Sequence, residues 1–161
     1  MKRFHLISTL VLATAAALIY PAHAVADSGP SASGHGNLTI AGELRTFSFT
    51  AVTHKNGSVT GEAQLDNRAQ GVKLHLAIDC LKVVGNTASV SGTVTQVSGP
   101  TAVQVGWKSL FRVTDNGEGG KSAPDTISLV FSFAPPAFID CQSNFSVAMM
   151  PIEAGNIQVR P

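Results

Sequence analysis

From Asn37 onward the sequence repeats with a period of two, and no later stretch carries the period of a helix. Arg45-Thr46-Phe47-Ser48-Phe49-Thr50-Ala51 alternates polar and apolar. Val72, Leu74, Leu76, Ile78 and Cys80 form the cleanest row, with Lys73, His75 and Asp79 on the other parity. Similar rows run through Val59, Gly61, Ala63 and Leu65, through Ala88, Val90, Gly92 and Val94, through Phe111 and Val113, and through Ile127, Leu129, Phe131 and Phe133. Successive strand side chains point to opposite faces, so each row predicts a strand with one buried and one wet face. Lys55-Asn56-Gly57 and Gly85-Asn86 sit between rows, where a tight hairpin needs the positive φ that Gly and Asn tolerate. Residues 66–71 and 116–124 are longer connections.

The reading is therefore all-β. Short connections favour antiparallel neighbours, giving a single antiparallel domain of about eight or nine strands over residues 37–161. That many strands either close into a barrel or stack as two sheets. Consecutive hairpins favour a meandering β-barrel, with a β-sandwich second. The last run, residues 155–160, is expected to close the sheet.

Residues 1–24 read as a signal peptide. Lys2 and Arg3 supply a positive start, residues 6–20 are largely apolar, and Ala22-His23-Ala24 is a small-x-small cleavage site. The apolar run is shorter than the roughly 20 residues of a spanning helix. An unanchored, secreted or periplasmic chain is expected, with no membrane span after cleavage. Residues 25–36 (VADSGPSASGHG) are small and polar, and predict a flexible segment outside the fold. The chain carries 11 Lys and Arg against 10 Asp and Glu, with no basic cluster. That argues against a nucleic-acid partner, whose phosphates require such a patch.

Cys80 and Cys141 are the only two cysteines. On an export route they oxidise to a disulfide. Closing a loop of about sixty residues is worth roughly 4 kcal/mol in the chain-entropy model, a large share of a domain's stability of about 5–15 kcal/mol. There is no C-x-x-C spacing and no adjacent histidine, which argues against a redox or metal pair. Cys80 lies on the apolar parity of its run, so its sulfur is expected to face inward.

Two places offer candidate chemistry. The first is the loop carrying Asp115, Asn116 and Glu118, with Asp125 behind it. It reads as a hairpin connection, in which Asp and Asn cap turns through backbone amides. The alternative is a cation loop, since Ca²⁺ takes six to eight hard oxygens. Gly120-Lys121-Ser122 ends like a phosphate-binding loop, but that motif needs glycine where Asp115 stands. The second place is the pair Asp79 and Asp140, each one residue before a cysteine. A disulfide would bring their backbones together, and close carboxylates shift each other's pKa or bind a cation. Each has the parity opposite to its cysteine and is expected to face solvent. His75 and Asp79 are about 13 Å apart on an extended strand, too far for a direct hydrogen bond. No G-x-S-x-G marks a nucleophile, so no catalytic residue is assigned, and no cofactor other than the calcium alternative is implied. His35, His54 and His75 give no zinc-ligand spacing. Trp107 is the only tryptophan, fewer aromatics than a sugar-stacking face usually displays. The three sequons at Asn37, Asn56 and Asn144 are formal matches only.

Three segments carry a family resemblance: IDCLKVVGNTA over residues 78–88, FRVTDNGEG over residues 111–119 with Pro124-Asp125 behind it, and GNIQV over residues 155–159. Together the chain resembles the post-COAP type of exported bacterial β-domain, whose function is undetermined. The resemblance implies an extracytoplasmic β-module and brings no catalytic, metal or ligand residues with it. The sequence thus points to an exported, disulfide-stapled, non-catalytic module that binds an envelope component, a protein or a small ligand. The alternative is an exported hydrolase-like enzyme using carboxylates near the disulfide or in the 115–125 loop. A concave pocket and its lining discriminate between them.

Overall fold

Ten strands pair into one antiparallel sheet in a computed structural model that describes residues 29–118, 122–136, 139–144 and 146–161. The predicted leader and residues 25–28 lie outside these. The strands are β1 (Ser31–Ile40), β2 (Glu43–Thr53), β3 (Val59–Asn67), β4 (Val72–Val84), β5 (Thr87–Ser98), β6 (Lys108–Thr114), β7 (Thr126–Ser128), β8 (Phe131–Phe133), β9 (Met149–Pro151) and β10 (Ala154–Arg160). The order across the sheet is β10-β1-β2-β3-β4-β5-β6-β7-β9, with β8 on β6 beside β7. No helix forms among the described residues. The fold is all-β and antiparallel as expected, and the sheet is single and curled into a half-barrel rather than split into a sandwich.

The curl is visible in the core. Phe49 on β2 meets Phe111 on β6 edge to face, with ring centroids 5.3 Å apart. Those strands lie four places apart in the sheet, so only a rolled sheet brings their rings together. Leu76, Val90, Val94, Val113 and Ile157 complete the buried interior. Each such side chain contributes about 1.5–3 kcal/mol by leaving water. Two bulges assist the roll. Thr95 is an extra residue on β5 between the pairs His75–Gln96 and Leu76–Val94. Asp79 is an extra residue on β4 between Ile78–Gly92 and Cys80–Ser91. A bulge bends its strand and strengthens the local twist.

The bulge at Asp79 overturns the inward assignment of Cys80. An extra residue flips the parity downstream, so Leu81 and Val90 take the core side while Cys80 and its partner Ser91 face outward. Cys141 is buried, and its backbone N–H donates to Ser91 Oγ at 3.0 Å. The Cys80–Cys141 disulfide forms as predicted, with the Cα atoms 5.6 Å apart. It fastens the chain between β8 and β9 over the outer face of β4–β6, where Leu110 is also buried. It is a staple on a cover, not a cross-link through the core.

Residues 31–36 are not a flexible lead-in. They form the first half of β1, laddered to β2 on one side and to β10 on the other. Their small size serves close packing. A Cβ on Gly34 would sit 2.9 Å from both Ile157 Cγ1 and Phe49 Cε1, and one on Gly36 would sit 2.5 Å from the Ala154 carbonyl oxygen. A glycine-rich strand at a point of close approach has the composition of a linker. The β1–β2 turn was also hidden, because Ala41 holds a positive φ of 52° ahead of Gly42 at 80°, and Ala seldom adopts that conformation.

The two sheet edges belong to one segment. β9 pairs with β7, and β10 pairs with β1. Between them, Ile152 N–H donates to the Asp125 carbonyl and Glu153 N–H to the Asn37 carbonyl, both at 2.9 Å. The chain changes partners there without turning back. The expectation that residues 155–160 close the sheet holds on the β1 side, and side chains complete the other side.

Candidate functional site

The half-barrel has two ends. One carries the β2–β3 and β4–β5 turns and the 115–125 loop. The other carries the β1–β2 and β3–β4 turns, Pro100-Thr101 and the β7–β8 junction. The sequence candidates lie at or near the first, whereas a mostly apolar cavity lies at the second.

In the 115–125 loop the carboxylates reach backbone amides. Asp125 is buried. Its Oδ1 accepts from Asn116 N–H at 2.8 Å, and its Oδ2 accepts from Ile157 N–H at 2.7 Å. Asp115 Oδ1 accepts from Gly117 N–H at 2.8 Å, and Oδ2 from Val159 N–H at 3.0 Å. Glu118 Oε1 accepts from Asn156 Nδ2 at 3.0 Å, and Asn116 Nδ2 donates to the Pro124 carbonyl at 2.6 Å. An edge strand presents unpaired N–H groups, and here two carboxylates supply the acceptors a neighbouring strand would have offered. The four residues named from sequence are brought together, and their chemistry is a seam. Gly119, Gly120 and Lys121 lie outside the described residues.

Asp79 and Asp140 do not act on a common group. Asp79 is exposed, as expected, and pairs with Lys108 Nζ while accepting from Thr93 Oγ1 at 3.2 Å. Asp140, also exposed as expected, caps its own turn, accepting from Gln142 N–H at 2.9 Å. His54 Nε2 lies 2.6 Å from Thr60 Oγ1 beside the β2–β3 turn. Trp107 packs against the core. Among the described residues no three His, Cys, Asp or Glu side chains are grouped so as to hold a metal ion. No helix there is long and apolar enough to cross a membrane.

At the opposite end the interior opens into a cavity of about 210 Å³. Leu38, Ile40, Leu65, Val72, Leu74 and Val130 form its apolar wall. A polar network lies along one side of the rim. Glu43 Oε2 accepts from Arg45 Nη2 at 2.9 Å and from Asn67 Nδ2 at 3.0 Å, and Glu43 Oε1 accepts from Gln70 Nε2 at 2.9 Å. The Asn67 and Gln70 hydrogen bonds, with the nearby Arg45 charge, hold the Glu43 carboxyl below the ordinary glutamate value, against a smaller opposing effect of burial. Arg45 Nε is buried and has no hydrogen-bond partner among the described residues.

Sequence reasoning passed over this rim, although a signal was present. Arg45 stands on the same parity as Phe47, Phe49 and Ala51, so a cation extends the core row of β2. A charged residue at the end of an apolar row marks a place where the interior meets water. Asn67 and Gln70 join it only through the β2–β3 register and the β3–β4 turn.

Compared with protein-family models, with characterised proteins and with solved structures, the chain shows no match.

Proposed function

We propose that this protein is an exported, non-catalytic β-module of the post-COAP type that binds a small, largely apolar ligand in the open end of its half-barrel. The observation that carries this reading is the cavity at that end, with apolar walls and a polar rim on one side. Binding pockets combine a mostly apolar lining with a few placed polar groups, and the mouth of a rolled sheet is a usual position for one. Export to a secreted or periplasmic location is supported by the leader at residues 1–24 and by the Cys80–Cys141 bond, which persists in oxidising compartments. The hydrolase-like alternative gains no comparable support. Asp115 and Asp125 cap backbone amides, and Asp79 pairs with Lys108.

The test is native mass spectrometry of the exported protein, followed by titration with an uncharged fluorescent apolar probe. A retained small molecule, or saturable one-to-one probe binding, is expected. Leu129→Arg at the rim should abolish that binding without lowering the melting temperature, because Leu129 is already 38% exposed. Probe binding that is undiminished in Leu129→Arg would move the site elsewhere and refute the reading.

A further inference from the structure

Resting on the reading of the barrel mouth as a ligand site, we infer that its ligand is a neutral amphiphile. The apolar body would fill the cavity, and one uncharged carbonyl or hydroxyl oxygen would accept a hydrogen bond from Arg45 Nε.

The inference starts from hydrogen-bond accounting at the rim. Both Glu43 oxygens are occupied by Arg45, Asn67 and Gln70. Asn67 Oδ1 accepts from Gln70 N–H at 3.3 Å. Arg45 Nε is the group left over. A buried donor without a partner is costly, and more so on a charged group. Arginine has no acceptor character and does not deprotonate in proteins, so only an incoming acceptor can satisfy it.

Among the described residues two other buried atoms lack partners, Asn37 Oδ1 and Asp66 Oδ1. Asp66 and Thr46 also line the cavity and Asn37 does not, but strand parity turns the Asn37 and Asp66 side chains away from Arg45. Asn37 and Asp66 both stand opposite Thr46 in the ladders. Arg45 stands opposite Leu38 and Asn67, one position away, and side chains alternate faces at each step. Leu38 and Phe47 are core residues. Arg45 therefore shares the interior face with the cavity wall, while Asn37 and Asp66 share the outer face with Thr46.

Charge then selects the kind of acceptor. The Arg45 guanidinium is already neutralised by Glu43 at 2.9 Å. An anionic head group would gain little from it, would be repelled by Glu43, and would lose its hydration beside an apolar wall, which is costly for an ion. A neutral oxygen meets the donor without those penalties. Size sets the body. A cavity of 150 Å³ holds benzene, so about 210 Å³ takes one ring with a short substituent, or a short chain of similar bulk.

Three probes of matched size separate the parts of this inference: acetophenone, with a neutral carbonyl; ethylbenzene, without an acceptor; and benzoate, an anion. Affinities are measured by calorimetry or ligand-observed NMR at fixed ionic strength. Acetophenone is expected to bind on the order of tenfold more tightly than ethylbenzene, and more tightly than benzoate. Its binding should also shift the Arg45 Nε–H resonance. Arg45→Lys retains the cation beside Glu43 and removes the Nε donor. It should lower acetophenone affinity to the level of ethylbenzene and leave ethylbenzene unchanged. Equal binding of acetophenone and ethylbenzene, with both lost in Leu129→Arg, would overturn the acceptor assignment and leave the apolar mouth standing. Tighter binding of benzoate would overturn the neutral class. Failure of all three probes would overturn the mouth reading itself. The comparison among probes on the unmodified protein decides the matter even if Arg45→Lys proves unstable.

Discussion

The carboxylate of Asp125 accepts a hydrogen bond from the backbone amide of Ile157 at 2.7 Å, across 32 residues of chain. Its other oxygen accepts from Asn116 N–H, so one buried side chain ties the 115–125 loop to the free side of β10. Replacing Asp125 with Ala leaves two backbone donors without acceptors. Hydrogen bonds to charged groups are worth about 1.5–3 kcal/mol each, so Asp125→Ala should lower unfolding stability by roughly 3–6 kcal/mol. Asp125→Asn keeps one acceptor oxygen and should cost about half as much. Urea unfolding measures both. A loss below about 1 kcal/mol for Asp125→Ala would show that solvent or a neighbour supplies the seam equally well.

The period-two rows made the strands legible, because alternation is a local property of the sequence. What stayed hidden was nonlocal. The extra residue at Asp79 does not interrupt the apolar pattern of β4, since Cys80 can pass for a core residue. Only pairing with β5 reveals that its face has changed. Ser31 to Gly36 has the composition of a linker because small residues serve flexibility and close packing alike. The bulky partners, Phe47, Phe49 and Ile157, lie on other strands. For the site, Asp115, Asn116, Glu118 and Asp125 share one loop, but Asp115, Glu118 and Asp125 also reach groups of β10, which no loop motif encodes. The rim of the mouth has one local cue, Arg45 on an apolar parity two residues after Glu43, and two members, Asn67 and Gln70, supplied by register and turn.

The disulfide makes a second prediction. Its bond closes a separation of 61 residues, worth about 4 kcal/mol in the chain-entropy model. The double substitution Cys80→Ser with Cys141→Ser should therefore lower stability by about that amount. Because the bond holds a cover on the outer face, the β4–β5–β6 ladders should survive in the variant under folding conditions. Hydrogen exchange checks this. Ser91 to Val94 amides stay protected, while the amides of residues 139–144 exchange quickly. Equal loss of protection in both places would mean that the cover is integral to the sheet.

Close packing along β1 makes a third. A Cβ at position 36 would fall 2.5 Å from the Ala154 carbonyl oxygen, and that oxygen is backbone, which yields poorly. Overpacking typically costs about 1–3 kcal/mol, and Gly36→Ala should fall in that range by thermal or urea unfolding. A chain that begins at Asn37 loses the Ser31 to Gly36 pairs with both β2 and β10. It should lack a cooperative transition. If it unfolds like the longer chain, this half of β1 is dispensable and the lead-in reading is restored.

Acid should loosen the rim before it unfolds the protein. Glu43 is held below its ordinary pKa by the Asn67 and Gln70 hydrogen bonds, then by the Arg45 charge. A carboxyl whose folded value is depressed adds stability above its unfolded value, about 4.3. That contribution disappears as pH falls through the lower folded value. Glu43→Gln lacks this titration. The wild type should therefore melt above Glu43→Gln near pH 7, with a difference that stays flat down to about pH 5 and closes below pH 4. The same network orients Arg45, so acetophenone affinity should weaken over the same acidic range in the wild type and stay level in Glu43→Gln. A melting difference that does not depend on pH would mean that ionisation of Glu43 does not stabilise the rim, and that charge at Glu43 does not organise the mouth.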